Sequence, residues 1–228
     1  MDWLFEQTAT LSKIFFYLVQ TIHLTILITI VSYVIALALG LTFGVARIWP
    51  NKLVRVVAAT YVNTLRGIPL LVLIFFIYFG LGKIIDLERF WAGVIAVGIC
   101  YGAYLAEVFR AGILAIEHGQ HEAALSLGMT RWQTLRHVIL PQSVRIVVPP
   151  AANEFIACLK DSSLVSIIGL RELTRAGREY ASDTFLDFQT WLVVGLLYLI
   201  MTLTLTRFVH YLEKKVAVAG YGAQKNAG

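Results

Sequence analysis

The run IFFYLVQTIHLTILITIVSYVIALALGLTFGVA, Ile14 to Ala46, holds no Asp, Glu, Lys or Arg across 33 positions. About 20 mostly apolar residues are enough for one helix to cross the hydrocarbon core of a bilayer. The run exceeds one crossing, so it reads as a short interfacial helix near Leu11 to Leu18 followed by a span over 23–44. It is far longer than the apolar core of a secretory signal, and only Lys13 directly precedes it, so cleavage is not expected. Four more apolar stretches follow, over 65–85, 90–109, 147–168 (entered through Pro149–Pro150) and 188–209. Composition agrees with this reading. The 228 residues are 58% hydrophobic and 14% charged, whereas a soluble domain carries about 25% charged residues. So few charges do not cover a water-facing surface. The chain reads as an all-α membrane protein with five transmembrane helices in one domain over 21–212. An N-terminal interfacial segment (1–20) precedes it and a cytoplasmic tail (213–228) follows.

Charge placement sets the expected orientation, because cytoplasmic loops are enriched in Lys and Arg. The first connecting segment carries Arg47, Lys52 and Arg55 and no acids. The third carries Arg110, Arg131, Arg136 and Arg145 against Glu117 and Glu122, and the tail is basic as well. Together these segments are net +8, the opposite side is −2, and groups within or beside the spans contribute −1, in accord with the net +5 of the chain. The expected topology is N-outside and C-inside. Cys100 and Cys158 both lie in apolar runs and define neither a disulfide framework nor a zinc site.

The longest inside segment contains HEAALSLGMTRWQTLRHVILP, His121 to Pro141. Its pattern predicts two short helices, 120–127 and 131–140, hinged at Gly128–Met129–Thr130. Gly128 supplies a permissive backbone for the turn, Thr130 is suited to cap the second helix, and Pro141 is expected to interrupt it. A helix–Gly–helix tethered between two spans is suited to insertion into a partner's groove.

Glu122–Ala123–Ala124, Gly128 and Leu140–Pro141 occur at the spacing of the signature loop of bacterial ABC importer permeases, which the chain resembles. Val138 stands where that signature has Ile. Further segments are similar to the polar amino-acid branch: Arg66–Gly67–Ile68–Pro69 with 70–80 after it, AYLAEVFRAGI over 103–113, and NEFIACLKDSSL over 153–164. The resemblance implies a type I ABC importer permease fold in the bacterial cytoplasmic (inner) membrane. It also implies that the loop 118–141 couples to an ATPase through Glu122, Ala123, Ala124, Gly128, Leu140 and Pro141. The implied partners are a dimer of ATPase subunits holding ATP and Mg²⁺, a second permease subunit (identical or homologous), and a periplasmic or lipid-anchored solute-binding protein. No cofactor is expected on this chain. The substrate implied is a polar amino acid.

Charged groups inside membrane helices are costly and mark pathways or pairs. Glu154 and Asp161 are seven residues apart, which returns to within about 20° on a helix, so both face one way, with Cys158 expected on the same side. Such an acidic stripe suits the cationic side chain or α-amino group of an amino acid. An acid at Glu154 resembles basic amino-acid permeases, which implies Arg, Lys or His as substrate, with glutamine, cystine or another polar amino acid as alternatives. Asn153, Lys160, Ser162 and Ser163 are further candidates for polar contacts to substrate. The bland alternative is structural pairing, for instance Lys160 with Glu107. Arg66 is expected to snorkel to the interface, and Gly40-x-x-x-Gly44 and Gly98-x-x-x-Gly102 to serve helix packing.

Several chemistries are excluded. Gly82–Lys83 is followed by Ile84, so there is no Walker loop, and His121–Glu122 lacks the second His of a zinc protease motif. No nucleophile elbow occurs. The basic residues follow the inside rule, so nucleic acid is not an expected partner. Five spans without an evident inverted repeat disfavour a self-sufficient secondary transporter. The acidic stripe disfavours a mere membrane anchor.

Overall fold

A computed structural model describes residues 2–216, and every regular element among them is helical. The elements are α1 (Asp2–Val19), α2 (Ile22–Ala46), α3 (Lys52–Gly67), α4 (Leu70–Phe75), α5 (Gly82–Ile85), α6 (Arg89–Leu114), α7 (His118–Ser126), α8 (Arg131–Thr134), α9 (Leu140–Asp161), α10 (Leu173–Thr184) and α11 (Asp187–Val216). A π-helical turn over Phe76–Leu81 joins α4 to α5, and another over Leu135–Ile139 joins α8 to α9. A 3₁₀ segment over Ser162–Ile168 continues α9.

The structure revises the N-terminal expectation. Instead of a short helix near Leu11 to Leu18, α1 covers eighteen residues and stops only two residues before α2. Its Ile14 and Leu18 are fully buried against Leu173 and Ala176 of α10 and Val193, Val194 and Leu197 of α11. The extension is N-terminal, through a stretch without Pro or Gly, and an apolar partner face covers one side of the helix. The predicted tail over 213–228 begins inside α11, and its residues 217–228 lie outside the described ones.

The centre of the molecule is the parallel pair α2 and α6. Both GxxxG pairs lie in this contact. A Cβ on Gly40 would sit 2.5 Å from Leu105 Cβ, and one on Gly44 would sit 2.8 Å from the Ala106 carbonyl oxygen. Reciprocally, a Cβ on Gly98 would meet Ile35 at 3.0 Å and one on Gly102 would meet Leu39 at 2.8 Å. The glycines therefore let two backbones approach within one subunit, as small residues do where no hydrophobic force drives association. α9 packs on α6 at the same kind of contact, where Gly112 faces Val147.

The predicted span 65–85 is broken. Residues before proline are pushed out of the helical region, and Ile68 is extended (φ −102°, ψ 130°) ahead of Pro69. The helices on either side of this break diverge by 103°. The first of them, α3, was not foreseen as a helix. Asn51 caps it by accepting from the Leu53 and Val54 amides, and Ala58 and Val62 are its buried positions. By length and composition, three helical stretches among the described residues can cross a membrane (Thr8–Ala46, Arg89–Leu114 and Asp187–Tyr211), or four if the bent pair is one span.

The predicted span 147–168 also shifts. Its helix starts at Leu140 and its regular α form ends at Asp161, where the 3₁₀ segment takes over. Pro141 does not interrupt the chain there. The Leu140 amide reaches back five residues to the Leu135 carbonyl, and this widened turn accommodates a proline that lacks an N–H in the next position.

Candidate functional site

A cavity of about 620 Å³ opens where the α3–α4 break meets α6 and α9. Its walls are Arg66 to Leu71 from the break, Cys100, Tyr101 and Tyr104 from α6, and Glu154, Ala157, Asp161 and Leu164 from α9 and the segment after it. The proline-enforced break supplies one whole wall, because it turns the chain across the face of α6. Glu154 and Asp161 thus share one cavity, as their seven-residue spacing predicted. Asp161 accepts a hydrogen bond from the Tyr101 hydroxyl at 2.8 Å.

Other expected members fall elsewhere. The cavity face of α9 runs through 154, 157 and 161, so Cys158 lies about 70° away from its centre at 100° per residue. Cys158 is fully buried in the core instead. Asn153 and Lys160 are exposed on a neighbouring stripe of α9 and do not line the cavity. Ser163 is half-buried and also outside the lining. Ser162 is structural: it is buried, donates to the Leu159 carbonyl at 2.8 Å and lies 3.4 Å from the Thr29 hydroxyl.

Lys160 does not pair with Glu107. That carboxylate contacts Arg47 at the end of α2, accepts from Arg110 Nε at 2.9 Å, and lies 4.0 Å from Arg66 Nη1. Arg66, expected to snorkel, lies along the cavity wall with its guanidinium 5.3 Å from the centre of the Tyr104 ring. Sequence reasoning missed Arg66, Tyr101 and Tyr104 as site residues. The tyrosines stand three apart on one helix, and Arg66 directly precedes the Gly–Ile–Pro break, but only the tertiary contact joins them.

The loop has a different construction. Its first helix, α7, ends in a Schellman turn: the Met129 amide donates to the Ala124 carbonyl at 3.2 Å and the Gly128 amide to the Leu125 carbonyl at 2.9 Å. Gly128 adopts φ +80°, in the left-handed region that glycine enters without a Cβ penalty. Thr130 then caps α8 as expected, in a full capping box with Gln133 (Thr130 amide to Gln133 Oε1, 2.8 Å; Gln133 amide to Thr130 Oγ1, 3.2 Å).

The base of the loop is anchored and its tip is open. Leu135 and Ile139 pack with Ile113, Ile48 and Trp49, and Trp49 meets Trp132 edge-on at 6.1 Å. Gln142 donates to the Gln120 side chain at 3.3 Å, tying α9 to α7. Ala124 is buried against this base, whereas Glu122 and Ala123 are exposed and Leu127 presents 83% of its surface. Leu140 is half-buried and Pro141 is exposed at the base.

Residues 36–218 match the family described as binding-protein-dependent transport system inner membrane component. The glutamine transport system permease protein GlnP of Escherichia coli (strain K12) is 36% identical over 204 residues, which cover 88% of this chain and 93% of that one. The arginine transport system permease protein ArtQ of Bacillus subtilis (strain 168) is 32% identical over 211 residues, covering 92% and 96%. Among solved structures, one described as an amino acid ABC transporter with histidines has a TM-score of 0.84 at 36% identity, over 91% of this chain and 97% of that chain.

Proposed function

The chain belongs to the family of binding-protein-dependent transport system inner membrane components, and we propose that it is the permease subunit of an ATP-driven importer for polar amino acids. Its architecture is the type I ABC permease fold with several apolar helices. We read five crossings in it, N-outside and C-inside in the bacterial cytoplasmic membrane, with α9 as the most polar one.

The observation that carries the substrate reading is the cavity holding the Glu154 and Asp161 carboxylates. Its volume suits a small ligand, since ligand pockets occupy roughly 300–1,000 Å³. A carboxylate in such a place selects an N–H-bearing group, either the α-ammonium or a side-chain cation. Basic amino acids (Arg, Lys or His) fit Glu154 best. Glutamine is the second reading, favoured by the likeness to a relative named for glutamine transport.

The loop 118–141 is the coupling element in this reading. Exposed Glu122, Ala123 and Leu127 dock into a groove of the ATPase, whose dimer holds ATP and Mg²⁺. The anchored base passes the motion to α6 and α9. The exposed stripe of Asn153 and Lys160 on α9 faces a second permease subunit, and a solute-binding protein delivers the substrate from outside. Nucleotide at one end and loaded binding protein at the other bias two states of one element, a coupling free energy between sites. The test is co-purification with the ATPase, then reconstitution with the binding protein. Amino acids are expected to stimulate ATP hydrolysis, and substitutions at Glu122 or Gly128 to abolish that stimulation. Loop variants that hydrolyse and transport normally would sink the coupling assignment.

A further inference from the structure

We propose that Arg66 is the anchor for the α-carboxylate of the transported amino acid. This rests on the amino-acid reading of the cavity and extends it to the other half of the zwitterion. Among the lining residues, Glu154 and Asp161 are the acids and Arg66 is the sole base. The cavity is therefore dipolar, with two carboxylates on the α9 wall and a guanidinium at the end of α3. A free amino acid has the same polarity, and neither of its charged ends is left in an apolar enclosure without a partner.

Arg66 is available for this role. Among the described residues its one ion-pair contact is with Glu107, at 4.0 Å, and the Glu154 carboxylate of the same cavity lies near enough to feel its charge. Glu107 is already engaged by Arg47 and by Arg110, so three guanidinium groups share one carboxylate. The Arg66 guanidinium carbon lies 5.3 Å from the centre of the Tyr104 ring, a cation–π contact that uses the face of the group and not its N–H donors. Among the described residues Arg66 donates no hydrogen bond, its side chain is 44% exposed, and it lines the cavity. A guanidinium edge matches a carboxylate with two parallel N–H···O bonds, a geometry that an ammonium cannot reproduce.

The acids then divide. Asp161, oriented by Tyr101, takes the α-ammonium, and Glu154, one of whose nearest lining neighbours is Ala157, takes the side-chain N–H group. This division admits both cationic side chains and amides, while the zwitterionic backbone is demanded of every substrate. Because Arg66 sits between the cavity and the Glu107 cluster, capture of a carboxylate also draws it away from the helix ends gathered at Glu107.

The test uses the complex of this chain with its ATPase in lipid nanodiscs, without the binding protein, which would impose its own selectivity. Equilibrium binding of arginine and glutamine is compared with that of their α-carboxamides. The native complex is expected to prefer the acids by at least about tenfold. Arg66→Gln is expected to weaken the acids by about 10- to 100-fold, as loss of a charge-assisted contact does, and to bind acid and amide alike. Arg66→Lys should recover part of the preference. An absence of acid preference in the native complex overturns the proposal without any variant. So does Arg66→Gln that keeps the preference, or that weakens acid and amide equally, the mark of a structural role. If the complete importer takes up no amino acid at all, the amino-acid reading itself fails. Normal uptake with an unchanged preference in Arg66→Gln removes the Arg66 assignment alone.

Discussion

The loop 118–141 and the cavity between α3, α6 and α9 both carry polar chemistry, yet they are built on opposite principles. The loop's shape is local: the Schellman turn, the left-handed Gly128 and the Thr130–Gln133 box all fall within ten residues. The cavity is assembled from distant parts, and its Tyr101–Asp161 hydrogen bond joins residues 60 positions apart. A local device presents an apolar knob without being buried, so one backbone dihedral decides its shape. A tertiary site depends on the GxxxG contact of α2 and α6 and on the proline break, and single side chains alter its chemistry while the walls persist.

The largest effect that would break or uphold this division comes from Gly128→Val. No atom lies within 4 Å of the position a Cβ would take, so the cost is in the backbone alone. Left-handed geometry costs an L-residue about 1–2 kcal/mol, which is enough to redirect a short turn. Amino-acid-stimulated ATP hydrolysis and uptake are expected to fall to background in the reconstituted importer. Amino-acid binding in nanodiscs should change by no more than about twofold, within the range of context effects on a distant site. A parallel loss of binding would mean that the two regions are not separable.

Next in size is Glu154→Gln, which changes the cavity and spares the loop. Loss of a charged partner to a cation is expected to lower arginine or lysine uptake about 10- to 100-fold. Glutamine uptake should fall by much less, because an amide side chain still meets an amide. Basal ATP hydrolysis should not move. Undiminished arginine uptake by this variant, measured in vesicles, rules out Glu154 as the basic-selectivity group.

A smaller effect sharpens the local half of the comparison. Thr130→Ala removes the cap of α8, a change worth about 1 kcal/mol. Amide exchange over residues 131–135 is expected to accelerate about fivefold, by the same factor as the local opening equilibrium. Exchange at 154–161 should stay as it was. Acceleration spreading along α9 would show that the π-turn transmits strain instead of isolating the loop.

The same contrast explains what could be read from the sequence. Spans 23–44, 90–109 and 188–209 were legible because their apolar runs are unbroken, and the structure extends each by a few residues. The loop was legible because its spacing, Gly128 and Thr130 are local signals. Helix α3 escaped because it is amphipathic and begins with Lys52 and Arg55, although Asn51, seven positions before buried Ala58, was a usable cap signal. Arg66 was misread because a chain gives no hint that Tyr104 and Glu107 lie beside it. Cys158 was misassigned because the angular width of the cavity face, unlike the spacing of its two acids, depends on what packs behind the helix.

The smallest expected effect lies outside both regions and serves as their control. Glu179 on α10 accepts from Arg171 Nε at 2.6 Å and from Arg175 Nε at 2.9 Å, and Arg171 also donates to the Tyr17 hydroxyl on α1 at 2.6 Å. The hydrogen bond from Arg171 is the main reason that this carboxyl is held below its ordinary range, with Arg175 adding to it. A depressed folded value means that the clamp contributes stability above the unfolded carboxyl value of about 4.3 and loses it as pH falls through the lower folded value. The groups are partly exposed, so solvent screening keeps the contribution small. Thermal unfolding of the native chain and of Glu179→Gln should differ slightly at pH 7, and the two curves should converge as the medium is acidified below about pH 4. Other carboxylates titrate in both proteins, so the difference isolates Glu179. Binding in the cavity and coupling through the loop should be the same in both proteins at pH 7. A change in either would show that the α1–α10 clamp is connected to the transport path.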